Sequence, residues 1–269
     1  MNGWTPLERT LRNDRRIVVI ALAGVISLAW VYILLGAGME MTSSAMTSDG
    51  AMNGIGAVMV QPTTWSAGYA VLMFFMWWIM MIAMMLPSAA PMILIFAAVN
   101  RRQRERALPY VRSGFFTIGY LACWAAFSLA ATTLHFTLER MSLLSGMMTS
   151  TSVYLGAAIL LAAGLWQLTP LKHACLRHCR SPIHYITQHW HGGEWGALRM
   201  GVEHGIYCLG CCWFLMALLF YGGVMNLYWI MGLALYVLIE KTVPRGHWMG
   251  VAVGIGLVGW AFALLMGFV

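Results

Sequence analysis

Six long stretches without Asp, Glu, Lys or Arg dominate this sequence of 269 residues. They cover residues 17–39, 50–100, 113–138, 141–171, 204–239 and 246–269. A helix needs about 20 mostly apolar residues to cross the hydrocarbon core of a bilayer, and each stretch is long enough. Only 9% of the residues are charged, whereas about a quarter are charged in a soluble domain. The chain is therefore predicted to be an integral membrane protein.

The stretches predict about seven membrane-spanning helices. Residues 204–239 are long enough for two helices, and the Gly-Gly and Asn of Tyr221–Asn226 favour a tight turn at their middle. Polar residues dilute the first third of 50–100, so its helix is expected to start near Gly68. The fold class is thus an all-α, polytopic bundle, with residues 1–269 forming a single membrane domain. The predicted spans are 17–38, 68–99, 113–137, 151–170, 202–221, 226–241 and 248–267.

The distribution of Lys and Arg predicts the orientation, because cytoplasmic loops retain these residues and exported loops do not. An N-terminus inside the cell places 15 of the 16 Lys and Arg residues in inner segments, and only Arg140 outside. The net charge of +7 then reflects topology and contact with anionic lipid rather than binding of nucleic acid. The predicted location is the bacterial inner membrane, with several passes. No dinucleotide, phosphate-loop, HExxH or GxSxG motif indicates an enzyme.

The inner loop 171–201 is unusually rich in Cys and His. His173, Cys175, His178 and Cys179 fall within seven residues. If this segment is helical, Cys175 and Cys179 share one face and supply half of a tetrahedral metal site. A basic juxtamembrane helix, with its Cys residues acting as small apolar side chains, is the structural alternative.

A second group of soft donors begins the fifth predicted span. On a helix, His204, Cys208 and Cys211 lie within about 60° of one another, and Cys212 and Met216 continue along the same side. Ionisable residues inside a membrane are candidates for function, so this stripe predicts a transition-metal site. A polar patch that packs helix against helix is the alternative explanation.

These motifs resemble one bacterial family of unknown function, which is described as predicted metal-binding integral membrane proteins. The resemblance rests on Lys172, Cys175, Cys179 and Pro182, on the segment Glu203–Met216, on Gly222–Asn226, on Glu240 and Lys241, and on Met84–Met92. It implies metal binding by the Cys and His residues. The resemblance also keeps Glu203 and Glu240 as candidate outer residues of the site, Glu240 with a role in proton or ligand positioning.

The second span carries a stripe of methionines that indicates which metal is bound. Met73, Met76, Met80 and Met84 lie within about 80° of one another on a helix. Thioethers and thiolates both favour Cu(I), whereas Zn(II) binds thiolate and imidazole but rarely thioether. Cu(I) is therefore the preferred metal, with Zn(II) second, and the methionines outline a path through the membrane. Packing of a flexible core residue is the alternative for the stripe.

Three classes of function are compatible with these features. The first is a metal protein that transports Cu(I) or delivers it to a membrane or periplasmic partner protein. The second is a membrane thiol-disulfide oxidoreductase that uses the CxxC motif of Cys208 and Cys211. The third is a structural subunit of a membrane complex. The inner location of the clustered Cys residues disfavours the second class, since disulfides are stable on the exported side.

Overall fold

The computed structural model describes residues 14–37, 65–105, 113–145, 148–181, 183, 185–186, 190–243 and 246–268. This part of the chain is all-α, as predicted, apart from one isolated bridge between Leu144 and Ser150. Its helices are α1 (Asp14–Leu34), α2 (Ala67–Glu105), α3 (Ser113–Arg140), α4 (Val153–Leu168), α5 (Pro170–Arg180), α6 (Gly193–Ala217), α7 (Leu219–Gly222), α8 (Leu227–Thr242) and α9 (Gly246–Leu265).

Five of the described helices are long and apolar enough to cross a membrane: α1, α2, α3, α6 and α9. A sixth is obtained if α4 and α5, which are bent by 65° at Thr169, form one broken span. Helix α8 follows the predicted sixth span but has only 16 residues. The total of seven spans and the inner position of the N-terminus therefore stay predictions.

The bend between α4 and α5 has a local cause in the sequence. Thr169 has an extended backbone, and its hydroxyl accepts a hydrogen bond from the backbone N–H of Lys172, which caps α5. Pro170 occupies the first turn of α5, where its missing N–H costs nothing. The first part of the predicted inner loop 171–201 is consequently a helix that leaves the direction of α4.

Helix α6 begins at Gly193, nine residues before the predicted span at 202. The charged residues Glu194 and Arg199 made the sequence look like a loop there. They lie on the first turns of the same continuous helix, and Arg199 pairs with Glu203 one turn later at 2.8 Å. The charged residues thus mark where the apolar segment begins, but the helix itself begins earlier.

Helices α3 and α6 pack along each other at the centre of the bundle. Two glycines allow this approach: a Cβ atom at Gly119 would overlap with the Leu198 carbonyl oxygen, and one at Gly201 with the Phe116 carbonyl oxygen. Helix α5 also packs on α6, and α8 packs on α2. These contacts bring the cysteine-bearing helices α5 and α6 next to α2, α3 and α8.

Candidate metal centre

Three cysteines of α6 lie in the interior of the bundle. Cys208, Cys211 and Cys212 are each at most 1% exposed. The thiols of Cys211 and Cys212 donate to the carbonyl oxygen of Cys208 at 3.0 and 2.9 Å, so both side chains fold back along their own helix. The three thiols are therefore grouped along about one turn of α6.

Helix α5 adds a fourth thiol to this group. The thiol of Cys179 lies close enough to the thiols of Cys208 and Cys211 to interact with them. Cys208 and Cys211 also contact Cys212. We call Cys179, Cys208, Cys211 and Cys212 the thiol cluster. The soft donors of the inner segment and of α6 thus converge in space.

Side chains of α2 and α3 complete one wall of the thiol cluster. The thioether sulfur of Met85 lies 3.8 Å from the Cys212 sulfur. The hydroxyl of Tyr120 lies 3.1 Å from the Cys208 sulfur and 3.2 Å from the Met85 carbonyl oxygen, to which it donates. A thioether and a phenol therefore stand beside the thiols, in a space shielded from water.

A buried lysine contacts the cluster from α8. The ammonium nitrogen of Lys241 lies 2.9 Å from the Cys208 sulfur and 3.2 Å from the Ser88 hydroxyl. Lys241 is 7% exposed and points into the bundle, where it offers a positive charge to anionic sulfur.

His204 supplies an imidazole one turn before Cys208. Its ring lies among Phe116, Tyr120 and Tyr185, with centroid distances of 6.0, 5.8 and 6.1 Å. The Nδ1 atom is buried and has no hydrogen-bond partner among the described residues. Buried polar atoms normally have a hydrogen-bond partner. This nitrogen atom has none in the described part of the chain, so it is available to bind a ligand.

Within the described residues, no group of three or more His, Cys, Asp and Glu side chains is arranged so that it could hold a metal ion. The hydrogen bonds of Cys211 and Cys212 to the Cys208 carbonyl give a physical reason, since they direct both thiols back at the helix. Rotation of these side chains about χ1 is needed before their sulfur atoms can share an ion.

The sequence profile of a family described as PpoB2, copper chaperone, matches residues 74–264. The chain belongs to this copper chaperone family. No curated protein and no solved structure matches the chain. The family match supports the metal-related part of the resemblance drawn from the motifs and a function related to copper. The family description does not mention a membrane, so that property rests on the apolar helices.

Two predicted ligands lie outside the thiol cluster. The ring of His178 stacks on Tyr207 at 4.0 Å, and its Nδ1 atom lies 3.0 Å from the Ala174 carbonyl oxygen. His173 lines a surface pocket with Leu176, Arg177 and Arg180. Both imidazoles project from faces of α5 that differ from the face that carries Cys179.

Cys175 lies at the edge of the thiol cluster. Its sulfur atom rests against Gly210, where an added Cβ atom would be 2.9 Å away. It also lies close enough to Cys211 for the two thiols to interact electrostatically. Cys175 and Cys179 therefore share one face of α5, as their spacing predicts.

The two predicted outer carboxylates lie away from the sulfur atoms. Glu203 accepts hydrogen bonds from Arg199 and from the Tyr185 hydroxyl, the latter at 3.2 Å. Burial and the neighbouring carboxylate raise the pKa of Tyr185 well above its usual value, so its hydroxyl stays a donor. Glu203 thus ties Tyr185, which precedes α6 in the chain, to that helix.

Glu240 forms a buried ion pair that the sequence reading missed. Its carboxylate binds the ammonium group of Lys172, which also contacts Gln167, and the Tyr236 hydroxyl donates to Glu240 at 3.0 Å. Lys172 and Glu240 are 0% and 1% exposed. The pair ties the start of α5 to α8, next to the thiol cluster but separate from it.

The predicted methionine path is buried along its whole length. Met73, Met76, Met80 and Met84 are at most 1% exposed, and Met216 is fully buried on α6. Met85, which follows Met84, is the residue that contacts Cys212. The methionine-rich face of α2 therefore points into the bundle and ends at the thiol cluster.

Proposed function

We propose that this protein binds Cu(I) inside the membrane and delivers it to a partner protein. The donors are the thiol cluster, Met85 and the free Nδ1 atom of His204. The contact between the Met85 and Cys212 sulfur atoms carries the proposal, because a mixed thioether and thiol environment suits Cu(I) better than Zn(II). Cu(I) is cargo here, bound and released without chemical change.

We further propose that the methionine stripe conducts the ion to or from the cluster. Met73, Met76, Met80 and Met84 extend over about 17 Å of α2, at a rise of 1.5 Å per residue. Their burial supports passage through the protein rather than along its lipid surface. Met73 lies in the N-terminal part of α2, and Met84 lies near the middle of the helix.

The topology belongs to the same proposal. With seven spans and the N-terminus inside, the thiol cluster lies in the inner half of the bacterial inner membrane. Helix α8 is then the sixth span, although it is short. Soft donors on the outer side would be mainly thioethers, and those on the inner side mainly thiols.

Burial of the thiols favours a metal carrier over a thiol-disulfide oxidoreductase. Exchange with another protein requires an attacking thiolate that the partner disulfide can reach. Cys208 and Cys211 are covered on all sides by neighbouring helices. A small ion can enter such a site when side chains rotate, but a protein disulfide cannot.

The proposal is tested by the copper content of the protein purified in detergent after growth with added copper. We expect copper in stoichiometric amount, and its loss when Cys208 and Cys211 are both replaced by serine. The matched control is Cys123→Ser, which removes a thiol from α3 outside the cluster and is expected to keep the copper. Retention of copper in the double variant, or bound zinc in its place, would contradict the proposed site.

A separate prediction concerns the thioether. Met85→Leu keeps an apolar side chain of similar size but removes the sulfur atom next to Cys212. We expect Cu(I) affinity, measured by competition with a chromogenic chelator, to fall about tenfold, or about 1.4 kcal/mol. Met92→Leu on the same helix is the control and should leave the affinity unchanged. Equal affinities for all three proteins would remove Met85 from the ligand set.

A further inference from the structure

The five cysteines on α5 and α6 differ in accessibility. Cys208, Cys211 and Cys212 of α6 are buried, whereas Cys175 and Cys179 of α5 are partly exposed. A buried Cu(I) ion needs a donor that can contact both the interior and an external carrier. Cys175 is placed for this task, because it shares a helix face with Cys179 and, unlike Cys179, its sulfur atom rests against Gly210, next to Cys211 in the chain.

We propose that Cys175 is the exchange ligand through which Cu(I) passes between the thiol cluster and a soluble thiol-based Cu(I) carrier. This inference rests on the proposed Cu(I) binding by the cluster. It assigns Cys175 a role in the rate of transfer rather than in the resting coordination of the ion.

Gly210 makes the approach of Cys175 to the cluster possible. The Cys175 sulfur occupies the space that any side chain at position 210 would need, and the carbonyl of Gly210 accepts a hydrogen bond from the Trp166 indole at 3.1 Å. This bond fixes the backbone of α6 between Cys208 and Cys211. The missing side chain at Gly210 thus leaves a gap beside the thiol cluster, and the Cys175 sulfur atom fills this gap.

The transfer is a sequence of ligand substitutions at Cu(I). The Cys175 sulfur forms a bond to the ion while one carrier thiolate leaves and takes up the proton of the Cys175 thiol. Cys211 then forms a second bond, and the other carrier thiolate leaves with the Cys211 proton. A cluster thiol finally replaces Cys175, which regains a proton from that thiol. Each step makes one copper–sulfur bond and breaks one, and copper remains Cu(I) throughout.

The experiment separates rate from capacity. Detergent-purified protein is loaded with Cu(I) under anaerobic conditions, and transfer to excess glutathione plus a chromogenic Cu(I) chelator is followed by stopped flow. Cys175→Ser is expected to keep the copper stoichiometry of the unmodified protein and to slow the transfer about tenfold or more. Cys175→Met retains a soft donor and should transfer faster than Cys175→Ser.

A second variant tests the gap at Gly210 without touching a sulfur atom. Gly210→Ala places a methyl group where the Cys175 sulfur lies, so the transfer is expected to slow as in Cys175→Ser. Gly232→Ala is the matched control, because a Cβ atom there meets nothing within 4 Å. Its transfer rate should equal that of the unmodified protein.

Three results would overturn the inference. If Cys175→Ser loses copper at equilibrium as the Cys208 and Cys211 double variant does, Cys175 is a resident ligand. If Cys175→Ser and Gly210→Ala transfer copper at the normal rate, the ion leaves by another route. If Cys175→Met is as slow as Cys175→Ser, a soft donor is not what matters there. Failure of the unmodified protein to bind copper would instead contradict the proposed function itself.

Discussion

Replacing Glu240 with glutamine is expected to lower the free energy of unfolding by about 3–5 kcal/mol, because it leaves the Lys172 ammonium buried without its anionic partner. Lys172 is fully buried, and its other partner, Gln167, is neutral. The loss is measured as a lower midpoint of thermal unfolding in detergent, followed by helical circular dichroism. Arg199→Gln removes an exposed ion pair on α6 and should shift the midpoint little.

A paired variant distinguishes the lost charge partner from general damage to the packing. Lys172→Met combined with Glu240→Leu removes both charges and fills a similar volume. Since apolar replacement of a buried ion pair is often close to neutral, the paired variant should recover much of the stability lost in Glu240→Gln. A paired variant as unstable as the single one would show that the ion pair is not the cause.

The second large effect is expected at the contact between α3 and α6. In Gly201→Ala the new Cβ atom overlaps with the backbone oxygen of Phe116, which cannot rotate away as a side chain can. The two helices must separate, and overpacking of this kind costs about 1–3 kcal/mol or more. Separation also draws Tyr120 on α3 away from Cys208 on α6, so copper affinity should fall together with the unfolding midpoint.

The control lies on α3 itself. A Cβ atom at Gly114 meets nothing within 4 Å, and alanine is a better helix residue than glycine by about 0.5–1 kcal/mol. Gly114→Ala should therefore leave copper affinity unchanged and stability equal or slightly higher. If Gly201→Ala behaves in the same way, the close contact of α3 and α6 is not required for the site.

The apolar stretches predicted the long helices well because the hydrocarbon environment leaves few alternatives. They could not predict where α6 starts, since a helix that continues beyond an apolar segment carries charges without ending. On the early turns of α6, Arg199 pairs with Glu203 within the helix, and the Tyr185 hydroxyl donates to Glu203 from outside the helix. Hydropathy describes neither the local pair nor the tertiary contact.

The sequence placed the soft donors on the correct helix faces but could not decide which faces meet. Cys179 contacts α6, while His178, one residue earlier, stacks on Tyr207 instead. Spacing along one helix gives the angle between two side chains, not the helix that each side chain contacts. The ligand prediction therefore included His173 and His178, which the structure places outside the cluster.

The two buried lysines show a similar limit. Lys172 and Lys241 were counted among the Lys and Arg residues of inner segments, on the rule that cytoplasmic loops retain these residues. Both instead find partners inside the bundle, a carboxylate for Lys172 and a thiol for Lys241. Lys172 and Lys241 are therefore weaker evidence for the orientation of the protein in the membrane than the arginines of the loops are. The sequence did contain one signal for these buried charges: two charged residues, Glu240 and Lys241, stand next to each other at the end of an apolar helix.

The shortness of α8 affects the lipid around the protein. Its 16 residues are about 24 Å long, whereas the hydrocarbon layer is about 30 Å thick. If α8 crosses the membrane, the bilayer beside it must thin, and headgroups and water come closer to its C-terminal end. Lys241 lies at that end, so the depth of the proposed copper site below the aqueous phase would depend on acyl-chain length. Lipids with short chains would relieve this hydrophobic mismatch and shorten the distance that a carrier must bridge.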